Sequence, residues 1–355
     1  MNFANRAFGG FGIALGAALL GVATLAVPQA VEAKAAGTEP APAVRPDVRA
    51  FLDGMTKRPK MVFTAEFLAQ LRKLPVAASL ASMDLPVGEL GTVRDVTMPG
   101  PGGEMALRLF DVRATRGPGP VVVFYHGGGF VVGSIGTHAG IAAEMSRKLD
   151  LPVVSVEYRL APEHPWPAAP DDAEAAARWI AANGQAFDRQ FTGLVLSGDS
   201  AGGNLTLVTA LALRNKPASL PVIMQFPIYP AADRSKRYPS GIQFEDGYGL
   251  DKVNMGYYTK HYAADPKSWR NSALLADLRG LPPTVLVTAQ LDPLRDEGRA
   301  FAAKLIQSGV RTSYYEAPAM VHGFATYRKV IPSAQGDVAA IMAEARTMLD
   351  AITGK

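Results

Sequence analysis

The pentapeptide Gly198-Asp199-Ser200-Ala201-Gly202 constrains this chain more than any other stretch. It follows the apolar run Leu194-Val195-Leu196 and opens the apolar stretch Leu205 to Leu213. A strand, a tight turn and a helix are therefore expected in that order. Gly-x-Ser-x-Gly in such a setting is a nucleophile elbow. Its glycines, lacking Cβ, let strand and helix approach closely, and the serine is expected in a strained backbone conformation above the sheet edge. The helix N-terminus behind it favours developing negative charge. So short a pattern also arises by chance, and its weight depends on whether the chain supplies the other groups such a serine needs.

The surrounding pattern predicts an α/β fold. Val121 to Tyr125, Val153 to Val156, Leu194 to Leu196, Val222 to Gln225 and Val285 to Thr288 are apolar runs suited to strands buried on both faces. Helical patterns alternate with them at Gly140 to Leu149, Asp171 to Asn183, Leu205 to Arg214 and Arg295 to Ser308. This alternation implies a mostly parallel central sheet with helices on both faces. Two earlier strands, Thr92 to Thr97 and Met105 to Phe110, flank turn residues and are expected to pair antiparallel. A final strand at Arg311 to Tyr315 precedes a helix from about Asp337 to Ala351.

Between Tyr229 and Pro282 no clean strand interrupts a stretch rich in aromatics: Tyr238, Phe244, Tyr248, Tyr257, Tyr258 and Tyr262. This insertion, about 230–281, reads as a lid whose rings either line a pocket or pack it onto the body. Two amphipathic helices are expected ahead of the sheet, the second marked by Phe63, Phe67, Leu68, Leu71 and Leu74. They are either plain core or part of the lid. Glu39 to Pro46, rich in Pro and Ala, reads as a linker or extended lead-in.

The first 33 residues read as a secretory signal peptide. Asn2 to Arg6 carries one positive charge, Ile13 to Val27 is apolar but for Thr24, and Val31-Glu32-Ala33 offers small residues where a signal peptidase cuts. Cleavage after Ala33 would leave a secreted or periplasmic protein. The alternative is an uncleaved membrane anchor. Residues 34–90 then hold the linker and N-terminal cap helices, and 91–355 the main domain. Cysteine is absent, which excludes disulfides, thiolate metal sites and a cysteine nucleophile. A formal charge of +4 over 355 residues, without a basic stripe interleaved with aromatics, argues against a nucleic-acid partner.

A serine needs a base to become a nucleophile. In elbow-type hydrolases the chain order is Ser, acid, His. Of five histidines, that order leaves His261, inside the lid, and His322, just past the last strand. His322 is the expected base, because its loop lies at the edge where Ser200 emerges. The acid that orients the imidazole is expected at Asp292, which follows the strand Val285 to Thr288. Asp296 competes, but it falls at a helix start, where carboxylates serve as caps or dipole partners. His126-Gly127-Gly128-Gly129 follows the third strand and is an oxyanion-loop motif. His126 is expected to hold that loop by hydrogen bonds. Glu163 and His164, in a proline-rich loop with no nucleophile, are expected to be structural.

Together these residues resemble the bacterial hormone-sensitive-lipase-like (family IV) esterases of the α/β-hydrolase superfamily. The likeness rests on His126-Gly127-Gly128-Gly129, Tyr158 to Ala168, Gly198 to Asn204, Asp292 to Gly298 and His322-Gly323-Phe324, spanning about Val121 to Phe324. It implies an α/β-hydrolase fold with a helical cap, a Ser200, Asp292 and His322 triad, and oxyanion N–H donors at Gly128, Gly129 and Ala201. It implies hydrolysis of short to medium acyl esters through an acyl-enzyme, with a small-molecule partner and no cofactor or metal. Amidase action, or deacetylation of an acetylated sugar or secondary metabolite, is the alternative. A non-catalytic receptor on this fold would require an incomplete triad. Asn271-Ser272-Ala273 departs from the Ser-Pro pair common near the end of the cap.

Overall fold

Eight strands form one sheet in the order β1-β2-β4-β3-β5-β6-β7-β8 in a computed structural model that describes residues 43–57, 64–73 and 80–354. The expected signal segment lies outside the described residues. The strands are β1 (Thr92–Gly100), β2 (Gly103–Asp111), β3 (Gly119–Tyr125), β4 (Val153–Val156), β5 (Phe191–Asp199), β6 (Val222–Ile228), β7 (Thr284–Leu291) and β8 (Thr312–Val321). β2 pairs antiparallel with β1 and with β4, and the other pairs are parallel.

Strand side chains alternate between two apolar layers. Val121, Val123, Tyr125, Leu194 and Leu196 face α4 (Ala168–Ala182), α5 (Ala201–Asn215) and α8 (Arg295–Gln307). Val122, Phe124, Val195, Val285 and Val287 face α3 (Ala139–Leu149) and α9 (Ala334–Thr353). Both faces are covered, which is why these strands read as unbroken apolar runs.

The strand order carries a functional consequence. From β3 the chain crosses by α3 to β4 on one side, then returns by α4 to β5 on the other. The loops leaving β3 and β5 therefore diverge and open a crevice at the carboxyl ends of the strands, where ligands bind in open α/β sheets. The β3 loop is His126 to Gly129, and the β5 loop holds Ser200.

Two helices precede the sheet, α1 (Pro46–Thr56) and α2 (Ala65–Leu71). Pro46 is the first residue of α1, not the end of a linker. Its fixed φ suits the first helical position, where no N–H partner is needed. Phe67 and Leu68 lie on α2, while Phe63 and Leu74 lie outside the described residues. Core and lid are not alternatives for α1. Val48 and Leu52 are buried in the α3–α9 layer, whereas Phe51 and Met55 reach the cavity above the sheet. Arg45 anchors the helix to the body, pairing with Asp337 at 2.5 Å. The insertion after β6 contributes α6 (Ser240–Gln243), α7 (Lys252–Tyr262) and a short 3-10 turn at Ala273–Leu275.

Candidate active site

Ser200 sits between β5 and α5 at φ 56° and ψ −115°, a conformation that side-chain-bearing residues rarely adopt. The packing around it holds that conformation. Ser200 N–H donates to the Ile228 carbonyl at 2.9 Å, and its carbonyl accepts from Asn204 N–H at 3.0 Å. Gly202 permits the close approach: a Cβ there would lie 1.9 Å from the Tyr125 carbonyl oxygen.

Three chain-distant side chains meet at this elbow. His322 Nε2 lies 2.8 Å from Ser200 Oγ, and His322 Nδ1 lies 2.7 Å from Asp292 Oδ2. Asp292 is fully buried, and its Oδ1 accepts from Leu294 N–H at 2.8 Å, which fixes the carboxylate plane. With the carboxylate accepting from Nδ1–H, Nε2 is the free lone pair and faces the serine hydroxyl. Tyr229 backs the imidazole, its ring 4.8 Å from that of His322.

Asp296 is turned elsewhere. It accepts from Ser240 N–H at 2.9 Å and pairs with Arg295 and Arg299, tying α8 to the insertion. His261 lies on α7. Glu163 pairs with Arg72, just past α2.

The glycine loop closes the other side. Val131 and Val132 both donate to the Gly128 carbonyl, at 3.0 and 2.9 Å, so that carbonyl turns away from the serine. The N–H groups of Gly128, Gly129 and Ala201 have no acceptor among the described residues, and all three residues line the cavity that holds Ser200. Unpartnered donors beside a candidate nucleophile suit a developing oxyanion. Gly128, at φ 118°, could not carry a side chain, because a Cβ would meet the Val132 carbonyl at 2.1 Å.

A buried histidine–aspartate contact fastens this loop to the elbow. Asp199 Oδ1 accepts from Gly127 N–H at 2.8 Å and lies 3.4 Å from His138 Nε2. Thr137 Oγ1 uses its own proton on the Ser134 carbonyl at 2.9 Å, so at 2.8 Å it accepts from His138 Nδ1–H. His138 Nε2 then faces both the Asp199 carboxylate at 3.4 Å and Gly127 N–H at 3.3 Å. Burial alone would lower the His138 pKa, but the Asp199 charge and hydrogen bond, with Asp84 and Ser134, raise it. Burial likewise opposes the Asp199 anion, and His138, His126 and Gly127 N–H outweigh it and hold the carboxyl below its usual range. His126 is the converse case. Burial and neighbouring His138 push it down to about 3, its Nδ1–H donates to the Gly127 carbonyl at 2.8 Å, and it stacks on Tyr158. It is a neutral brace for the loop. No local signal in the sequence marks His138, because its partner lies 61 residues away.

The cavity over Ser200 holds about 940 Å³, within the range of small-molecule sites. Phe51 and Met55 of α1 and Met255, Tyr258 and Tyr262 of α7 wall it. The insertion aromatics do both things open to them. Tyr238, Tyr258 and Tyr262 line the cavity, while Phe244 and Tyr248 pack edge to face on each other. Tyr262 also stacks on Phe130 at 3.8 Å, joining α7 to the glycine loop. Asn271, where the chain departs from the common Ser-Pro, binds the insertion to the body, and neighbouring Ser272 ties the insertion to itself. Asn204 Nδ2 donates to the Asn271 carbonyl at 2.8 Å, and Ser272 Oγ accepts from Arg234 N–H at 2.9 Å.

Comparison with known proteins gives this arrangement a family. A family described by the alpha/beta hydrolase fold matches residues 122–326. Esterase LipI of Mycobacterium tuberculosis is 34% identical over 82% of this chain and 91% of its own length. Carboxylesterase NlhH of the same organism is 35% identical over 65% of this chain and 74% of its own. Among solved structures, the ester-hydrolase EH1AB1 from the metagenome of Lake Arreo superposes with a TM-score of 0.78 at 34% identity, covering 88% of this chain and all of that one. The chain belongs to the hormone-sensitive-lipase-like esterases, an enzyme family of the α/β-hydrolase fold.

Proposed function

We propose that this protein is a serine carboxylesterase acting on short to medium acyl esters through an acyl-enzyme. The observation that carries this reading is the run of hydrogen bonds from Asp292 through His322 to Ser200 Oγ, in one cavity with three N–H groups that have no acceptor among the described residues. His322 Nε2 takes the Ser200 proton as Oγ attacks the ester carbonyl. Gly128, Gly129 and Ala201 N–H groups stabilise the oxyanion. The imidazolium, steadied by Asp292, protonates the departing alkoxide. Water then attacks the acyl-enzyme by the same route, releasing the acid and restoring the serine. The esterase names of LipI and NlhH support the choice of an ester over an amide.

The walls contributed by α1 and α7 support the limit on acyl length. Turnover of p-nitrophenyl esters from acetate to palmitate is expected to peak at eight carbons or fewer and to fall at least about tenfold by palmitate, one decade being about 1.4 kcal/mol of lost transition-state binding. A maximum at palmitate would overturn the acyl-length reading.

Secretion, with cleavage after Ala33, is part of the same proposal and rests on the N-terminal pattern alone. N-terminal sequencing of protein from the extracellular or periplasmic fraction should begin at Lys34. An intact N-terminus in the membrane fraction would instead mark an anchor.

A further inference from the structure

One carboxyl group in the cavity wall has no part in the chemistry above. Glu297, in the first turn of α8, is 4% exposed and lines the same cavity as Ser200. Its Oε1 accepts from Ala232 N–H at 2.9 Å. Its Oε2 has no hydrogen-bond partner among the described residues and is not fully enclosed, and the residue borders the cavity.

The charged and titratable groups facing Glu297 are Arg234, Asp233 and Tyr238 from the segment after β6, and Asp292 from the loop after β7. The start of a helix ordinarily favours a carboxylate. Here burial dominates, Asp292 and Asp233 add to it, and Arg234 and Ala232 N–H offset it only partly, so the pKa is raised to about 8. At neutral pH the group is a carboxylic acid. Oε1 already serves as an acceptor, which leaves the O–H at Oε2.

We propose that Glu297 is a substrate-binding donor, giving its O–H to a neutral acceptor oxygen (a ketone, ether or hydroxyl) on the ester. The enzyme then prefers oxygenated esters to plain alkyl esters of the same shape. A buried donor without a substrate partner is left unsatisfied, and this is how polar sites reject analogues that lack the acceptor. The proposal deepens the esterase reading and rests on it.

The test compares kcat/KM in the full chain for two near-isosteric pairs. Ethyl 4-oxopentanoate against ethyl pentanoate places the oxygen on the acyl side, and 2-methoxyethyl acetate against butyl acetate places it on the alcohol side. Dividing each ratio by that of E297L removes intrinsic reactivity. In at least one pair the ratio at pH 7 should be about fivefold to tenfold higher in wild type than in E297L, the worth of one hydrogen bond. E297Q keeps a donor and should keep the preference. As pH rises from 7 to 9, the wild-type ratio should fall towards that of E297L while that of E297Q stays level. Equal ratios in wild type and E297L for both pairs, or a wild-type ratio indifferent to pH, overturn the proposal. No turnover of any of the four esters would overturn the esterase reading itself.

Thermal unfolding gives a readout free of turnover. Between about pH 4.3 and 8 the unfolded chain releases a Glu297 proton that the folded chain retains, so wild type loses stability as pH rises. The melting temperature of E297Q should therefore gain on that of wild type from pH 4.5 to pH 8. A gap that does not change with pH would mean Glu297 is ionised and cannot donate.

Discussion

Replacing Ser200 with alanine is expected to lower kcat on p-nitrophenyl butanoate by about 10⁵-fold or more, the scale set by nucleophile deletions in serine hydrolases. The substitution removes Oγ, which bonds His322 Nε2 at 2.8 Å. It leaves the scaffold in place. The bonds from Ser200 N–H to Ile228 and from Asn204 N–H to the Ser200 carbonyl are backbone bonds, and alanine bears the same φ 56° that serine does. The melting temperature should therefore stay within a few degrees of wild type. Residual hydrolysis should exceed the uncatalysed rate by about 10³-fold, because the three N–H donors still meet the carbonyl oxygen. An organophosphate should add covalently to wild type, with the adduct at Ser200 by mass spectrometry, and should not add to S200A. Near-normal turnover by S200A would mean that another group attacks the ester, and the proposed mechanism would fall.

The scaffold around that atom is legible in the chain because its signals are local. Val121 to Tyr125 and Leu194 to Leu196 are unbroken apolar runs since helices cover both faces of β3 and β5. Gly198 and Gly202 are glycines because the β5–α5 turn presses against the Tyr125 carbonyl. The chain order Ser, Asp, His leads to the residues that meet, because each lies just beyond the carboxyl end of a strand in this topology.

What the chain conceals is the set of contacts between distant segments. Lys252–Tyr262 mixes polar and aromatic residues without a clear apolar stripe, so α7 cannot be told from a loop by periodicity, yet it supplies Tyr258 and Tyr262 to the cavity. Asp296 and Glu297 are neighbours at one helix start, where both would be read as dipole partners. One bonds Ser240 and two arginines near the surface; the other is buried against Ala232, 65 residues away. Burial, which local sequence does not encode, separates their chemistry. The same holds for His138 and Asp199, whose pairing ties the glycine loop to the elbow.

Asp292 to asparagine is expected to lower kcat about 10⁴-fold while leaving KM within a few-fold and the fold intact. The reason lies in which hydrogen each oxygen accepts. Oδ1 receives Leu294 N–H at 2.8 Å and Oδ2 receives His322 Nδ1–H at 2.7 Å. An asparagine has one acceptor oxygen and one NH₂. The Leu294 donor is backbone and cannot give way, so the oxygen stays there and the NH₂ faces His322. Nδ1 must then accept, the ring proton moves to Nε2, and the imidazole presents a donor to Ser200 Oγ where it needs a lone pair. His322 can no longer take the serine proton, although every side chain remains in position. Asp292 to alanine removes the same orientation without forcing the wrong tautomer, since Nδ1 can keep its proton against a water. D292N should therefore be at least as impaired as D292A, although it is the closer in shape. Should D292N prove several-fold more active than D292A, Asp292 would act on His322 through charge or packing and not through the tautomer it selects.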